Sequence, residues 1–282
     1  MDTLMNMLGF DFMRHAIAAG LLASIACGVV GTLVVVNRLV FLAGGVAHAA
    51  YGGVGLAFYM GFPVLPCAAG FSLASSLAMA GVSLRYKEKA DTAIGVMWAA
   101  GMAFGIILVD LTPGYNVDLM SFLFGSILAV PVEDLWLMAA LDVLVLVLTI
   151  VFYPGLLLLS FDSEFAAARG LPVAALHCLM VGMAALSVVM IIRVVGLILV
   201  IALLTIPPFM AQRHARSLAS MMFSAVGWSM LFCLGGLALS YRFDLTSGAS
   251  IIAVAAGCFF LALGQDALRG VLRRKTNILK PA

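Results

Sequence analysis

The chain has 282 residues, 65% of them hydrophobic and only 10% charged, with a formal net charge of +2. Soluble domains carry roughly 25% charged residues, so this composition excludes a water-surrounded globule and offers no basic face to a nucleic acid. Hydrocarbon requires about 20 apolar residues per helical crossing, and runs of that length recur along the chain. Residues 1–282 therefore read as a single polytopic unit embedded in a lipid bilayer.

The N-terminal MDTLMNMLGFDFMRH has neither the basic start nor the small-residue cleavage site of a secretory signal, so no removal is expected. In chain order, apolar runs between charged or Pro/Gly breaks place spans near 16–36, 41–60, 64–84, 93–109, 135–159, 173–192, 194–211, 218–240 and 248–265. The fold class is an all-α transmembrane bundle of about nine crossings. One further run, 119–130, is about half the length of a crossing and reads as a re-entrant or interfacial helix. Only Arg193 separates the spans at 173–192 and 194–211, which predicts a tight hairpin there.

Basic residues orient the bundle. With the C-terminus cytoplasmic, Arg38, Arg85, Lys87, Lys89, Arg169, Arg213, Arg216, Arg269, Arg273, Arg274, Lys275 and Lys280 fall inside, leaving Arg14, Arg193 and Arg242 outside. That is the bias of the positive-inside rule. The N-terminus is then outside, together with Asp2, Asp11, Asp110, Asp118, Glu133, Asp134 and Asp244. An acidic outer face concentrates cations.

The second span, FLAGGVAHAAYGGVGLAFYMG, holds six glycines and a histidine near its middle. Helical spacing puts Gly44, His48, Gly52 and Gly55 on one face with Tyr51 beside them. Such a face admits a close neighbour or leaves a passage, and imidazole ligates transition metals. His48 is the leading pathway residue, and a histidine bonded to a neighbouring helix is the bland alternative. Asp142 lies inside the fifth span, where a carboxylate requires water, protein or a cation around it. It is the second candidate for a metal contact. Gly101 and Gly105 form a small-xxx-small pair for helix packing. The five cysteines, isolated in apolar runs, and the seventeen methionines, unclustered, read as packing residues.

No G-x-x-x-x-G-K-[ST] occurs, and no lysine follows a glycine, so the chain cannot hold ATP phosphates in the P-loop manner. It is not expected to be an enzyme or to bind a cofactor; any work done by ATP belongs to a partner. Two cytoplasmic loops could receive that partner, FDSEFAAARGLP at 161–172 and PPFMAQRHARSLA at 207–219. In the second, Pro207 and Pro208 should end a helix, and Gln212, Arg213, His214 and Arg216 should lie on a short basic helix that follows.

Six blocks in order, AHAAYGGVGLAF, DTAIGVMWAAGMAFGIIL, GYNVDLMSFLFGSILAV, FDSEFAAARGLPV, VVGLILVIALLTIPPFMA and FDLTSGASIIAVAA, resemble the zinc/manganese/iron-type permeases of ABC importers over nearly the whole chain. The resemblance implies a paired, homodimeric membrane core, a cytoplasmic ATPase on each permease, and an extracytoplasmic metal-binding protein delivering a divalent cation. By the same resemblance 207–219 looks like a coupling helix, and the histidine helix looks pore-lining. Members of the family often carry an Asp one turn before the histidine, where this chain has Gly44. Two other readings compete: a secondary transporter using Asp142 and His48 as ion sites, and an ABC permease of the cobalamin/siderophore type.

Overall fold

The structure is a computed structural model that describes residues 11–86, 89–113 and 127–278. Its described residues form eleven α-helices and one short 3-10 turn, with no strand. They are α1 (Asp11–Val36), α2 (Val40–Met60), α3 (Val64–Arg85), α4 (Ala90–Asp110), a 3-10 turn at Ile127–Ala129, α5 (Val132–Val151), α6 (Tyr153–Phe161), α7 (Ser163–Ala168), α8 (Val173–Val195), α9 (Leu197–Gln212), α10 (Leu218–Phe243) and α11 (Ser247–Ile278). Helix is the structure that satisfies every backbone polar group within one apolar segment, as hydrocarbon demands. Eight of these helices, all but α6, α7 and α9, are long and apolar enough to cross a bilayer.

Helices α1, α2 and α8 form the buried centre, and α4 is the most peripheral of the eight. The main core runs through α1, α8, α9 and α10, around residues such as Leu33, Met183, Leu203 and Phe232. A second cluster joins Leu42, Val46 and Ala49 of α2 to Met79 of α3, Ile94 of α4 and Val181 of α8.

Several expectations change in detail. The span at 135–159 is two helices, broken at Phe152, because Pro154 in the first turn of α6 has no N–H for the preceding helical ladder. The 3-10 turn at Ile127–Ala129 ends the short apolar run at 119–130, and the rest of that run lies outside the described residues. Arg193 is not a turn. Helix α8 continues to Val195, and the break is Gly196, with φ 84° and ψ 163°, a conformation suited to glycine.

The α8–α9 connection is as short as expected, although it falls at Gly196. A single residue joins the two helices, and each packs more extensively against α1 than against the other. At 16 residues α9 is about 24 Å long, short of the roughly 30 Å hydrocarbon core. It nevertheless returns towards the end where α8 starts. Three contacts gather that end. Asn37 after α1 bonds Ser160 of α6, Ala219 of α10 bonds Tyr153 of α6, and Arg213 after α9 pairs with Asp266 of α11.

Residues 207–219 do not form a helix of their own. Pro207 and Pro208 lie inside α9, which runs on to Gln212, and α10 begins at Leu218 capped by Ser217. Proline is tolerated in a membrane helix when neighbours cover the carbonyls it leaves free. Here Gly31 of α1 lies directly against the Leu204 carbonyl, four residues before Pro208, so closely that a Cβ would come within 2.5 Å of the oxygen.

Candidate functional site

Helices α2 and α4 run parallel in backbone contact. A Cβ built on Gly55 would lie 2.2 Å from the Gly105 carbonyl oxygen, and one on Gly105 would lie 2.2 Å from that of Tyr51. Gly101 faces Ala49, and Gly52 faces both Gly101 and the Phe71 ring of α3. The small-residue face of α2 is therefore filled by neighbouring helices at Gly52 and Gly55. Tyr51 is buried beside them.

This close approach sets the place of His48. Its imidazole stacks on Trp98 of α4, with ring centroids 4.2 Å apart and planes 23° from parallel. Phe41, two turns earlier, meets the other reach of Trp98 at 5.8 Å. His48 is half-buried, and its Nδ1 is buried without a hydrogen bond. That nitrogen makes no bond to a neighbouring helix. A stacked, oriented imidazole with a lone nitrogen can take a cation or a proton.

One turn before His48, Gly44 is buried but not pressed against a neighbouring backbone. A Cβ there would meet only the Ile201 side chain, at 3.8 Å. A tryptophan in an apolar run carries no chemical signature, and the signal for Trp98 in the sequence is its position one turn before Gly101.

Asp142 does not join His48. It is buried in α5 and lines a small cavity with residues of α1 and α8, Ser187 among them. Among the described residues no group of three or more His, Cys, Asp and Glu side chains is arranged to hold a metal ion. The five cysteines are unpaired.

The two loops nominated for a partner differ sharply. Pro207 and Pro208 are buried, and the Arg213 guanidinium is used within the chain by Asp266 and the Ala262 carbonyl. Gln212, His214 and Arg216 are exposed on the turn. In the other loop, α7 is a separate helix whose first N–H groups, those of Glu164 and Phe165, donate to the Asp162 carboxylate at 3.0 and 2.9 Å. Phe161 and Phe165 are exposed beside it, and the Arg169 guanidinium lies 5.2 Å from the Phe165 ring centre.

The sequence profile of the ABC 3 transport family matches residues 9–265. The chain belongs to that family. The permease is 51% identical to an uncharacterized membrane protein of Synechocystis over 93% of each chain. It is 34% identical to the manganese transport system membrane protein MntC of Halalkalibacterium halodurans, covering 95% of this chain and 92% of that one. Among solved structures it resembles PsaBC from Streptococcus pneumoniae in complex with Fab, with a TM-score of 0.82 at 30% identity and coverage of 92% and 94%. It is thus a multi-pass membrane subunit of a metal-ion ABC transporter, and not itself an enzyme.

Proposed function

We propose that this permease passes a divalent transition-metal cation, manganese before zinc or iron, into the cytoplasm. A separate cytoplasmic ATPase drives it, an extracytoplasmic metal-binding protein supplies it, and a second copy of the chain completes the pathway. The carrying observation is His48: an imidazole inside a membrane helix, fixed by its stack on Trp98, with a buried nitrogen left unbonded. Intramembrane ionisable groups of this kind mark ion pathways. The preference for manganese rests on relatives such as MntC.

The ATPase docks on α7. This helix is exposed, capped and flanked by two aromatic side chains, the form in which a helix enters a groove of another protein. The exposed Gln212, His214 and Arg216 offer a secondary contact. The side that carries α7 is cytoplasmic, since Arg38, Arg85, Arg169, Arg213 and Arg216 belong to loops on that side, leaving the N-terminus extracytoplasmic and the C-terminus cytoplasmic. No observation favours a gradient-driven carrier built on Asp142 and His48, because the two side chains face different neighbours.

The test is uptake of manganese, zinc and iron into vesicles holding the permease with its ATPase. ATP-dependent accumulation led by manganese is expected, with His48→Ala lowering it about tenfold or more in an assembled complex. Equal accumulation of all three metals without ATP would sink the proposal.

A further inference from the structure

Asp142 and Ser187 belong to different helices, α5 and α8, and line one small cavity with Ala23 and Ala26 of α1, Met138 and Met190. Asp142 is 6% exposed and Ser187 3% exposed. Neither the Asp142 Oδ2 nor the Ser187 Oγ has a hydrogen-bond partner in the protein. Two residues with orphaned, buried polar atoms thus line one chamber whose other residues are Leu, Ala, Met and Ile. No basic side chain lines the chamber, and the Cys27 thiol of α1 is the titratable neighbour.

We propose that Asp142 and Ser187 form an internal site for one water molecule together with the proton that neutralises the carboxyl group, and that this site is separate from the metal route. An isolated carboxylate in such surroundings is neutralised rather than left charged. A neutral carboxyl group has one O–H donor and keeps an acceptor oxygen, and a serine hydroxyl offers both functions. The chamber has room for about one water, which needs two to four polar partners. Asp142 and Ser187 supply two on opposing helices, so one bridging water satisfies both orphans and ties α5 to α8.

A divalent cation fits less well. It would meet one carboxylate and one hydroxyl, whereas hard divalent cations take about six oxygen ligands. The site therefore explains why a carboxyl group persists at this depth without making it a stop on the pathway.

The experiment is infrared difference spectroscopy of the permease–ATPase complex in lipid, combined with manganese uptake. A carbonyl band of a neutral, buried carboxyl group is expected at neutral pH, shifted by Ser187→Ala and missing in Asp142→Asn. Asp142→Asn, which keeps the shape and can still bond the water, should take up manganese within about twofold of the parent, inside the scatter of a change remote from the route. Absence of the band, or a band indifferent to Ser187→Ala, would overturn the site. So would a tenfold loss of uptake in an assembled Asp142→Asn complex that still hydrolyses ATP, since that result would make Asp142 a cation ligand. If Asp142→Asn does not assemble, the Ser187→Ala band decides alone. The infrared readout does not depend on which cargo the permease carries, so it can fail or succeed independently of the uptake proposal.

Discussion

The Asn37 side-chain amide donates to the Ser160 hydroxyl at 2.9 Å and to the Leu33 carbonyl at 2.8 Å. Asn37 begins the short turn between α1 and α2, where Arg38 takes a positive φ of 59°. Ser160 is next to Phe161 and Asp162, the residues that lead into and cap α7. One side chain thus joins the base of the His48 helix to the base of the proposed docking helix. On the proposed docking, a displacement of α7 by an ATPase would be delivered at the foot of α2.

Asn37→Ala removes both bonds, each worth about 1 kcal/mol in net stability. The expected result is an assembled complex that hydrolyses ATP but moves about threefold less manganese per ATP, the scale of known coupling mutations. The check is parallel measurement of uptake and hydrolysis in proteoliposomes. If both fall by the same factor, the bond serves stability alone.

Two glycine substitutions should diverge. Gly55→Ala forces a methyl group against the Gly105 carbonyl, whose backbone cannot move without separating α2 from α4. A loss of about 3 kcal/mol or more is expected, at the upper end of overpacking costs. Gly70→Ala in α3 meets nothing within 4 Å and should be neutral or stabilising by up to about 1 kcal/mol. Thermal unfolding of both variants in detergent measures the contrast.

Gly44→Asp probes this face directly, because the first side-chain carbon added at Gly44 would meet only Ile201, at an ordinary contact distance of 3.8 Å. Residues four apart lie on one helix face, so the new carboxylate would stand one turn from His48 and give the route a second ligand. Tighter retention of manganese and slower release are expected, read as slower turnover at saturating metal. Unchanged turnover with normal assembly would place the cation path away from this face of α2.

Phe165→Ala and Arg213→Ala should separate docking from folding. Losing the exposed Phe165 ring is expected to weaken ATPase binding with little change in permease stability, since aromatic anchors dominate interfaces. Arg213→Ala removes the partly shielded contacts to Asp266 and Ala262, lowering permease stability by about 1–3 kcal/mol while leaving the ATPase bound. Co-purification and thermal unfolding of each variant distinguish the two. Loss of the ATPase from Arg213→Ala at full stability would return the docking role to the 213–217 turn.

Much was legible from composition because the solvent imposes it. Hydrocarbon rejects charge and unpaired backbone groups, so apolar runs marked the spanning helices, basic residues sorted the loops, and the six motif blocks identified the family. His48 stood out for the same reason, as an ionisable group where the bilayer makes one costly. Tertiary structure decided matters for which local pattern has no rule. Pro207 and Pro208 stay inside α9, where Gly31 of a distant helix packs against the Leu204 carbonyl, and Arg213 is held by Asp266, 53 residues away. The glycine face of α2 could have lined a passage or met a neighbour. It meets α4, since Gly101 and Gly105 present no side chain either, and backbone contact between two such faces is a property of the pair that neither segment displays alone.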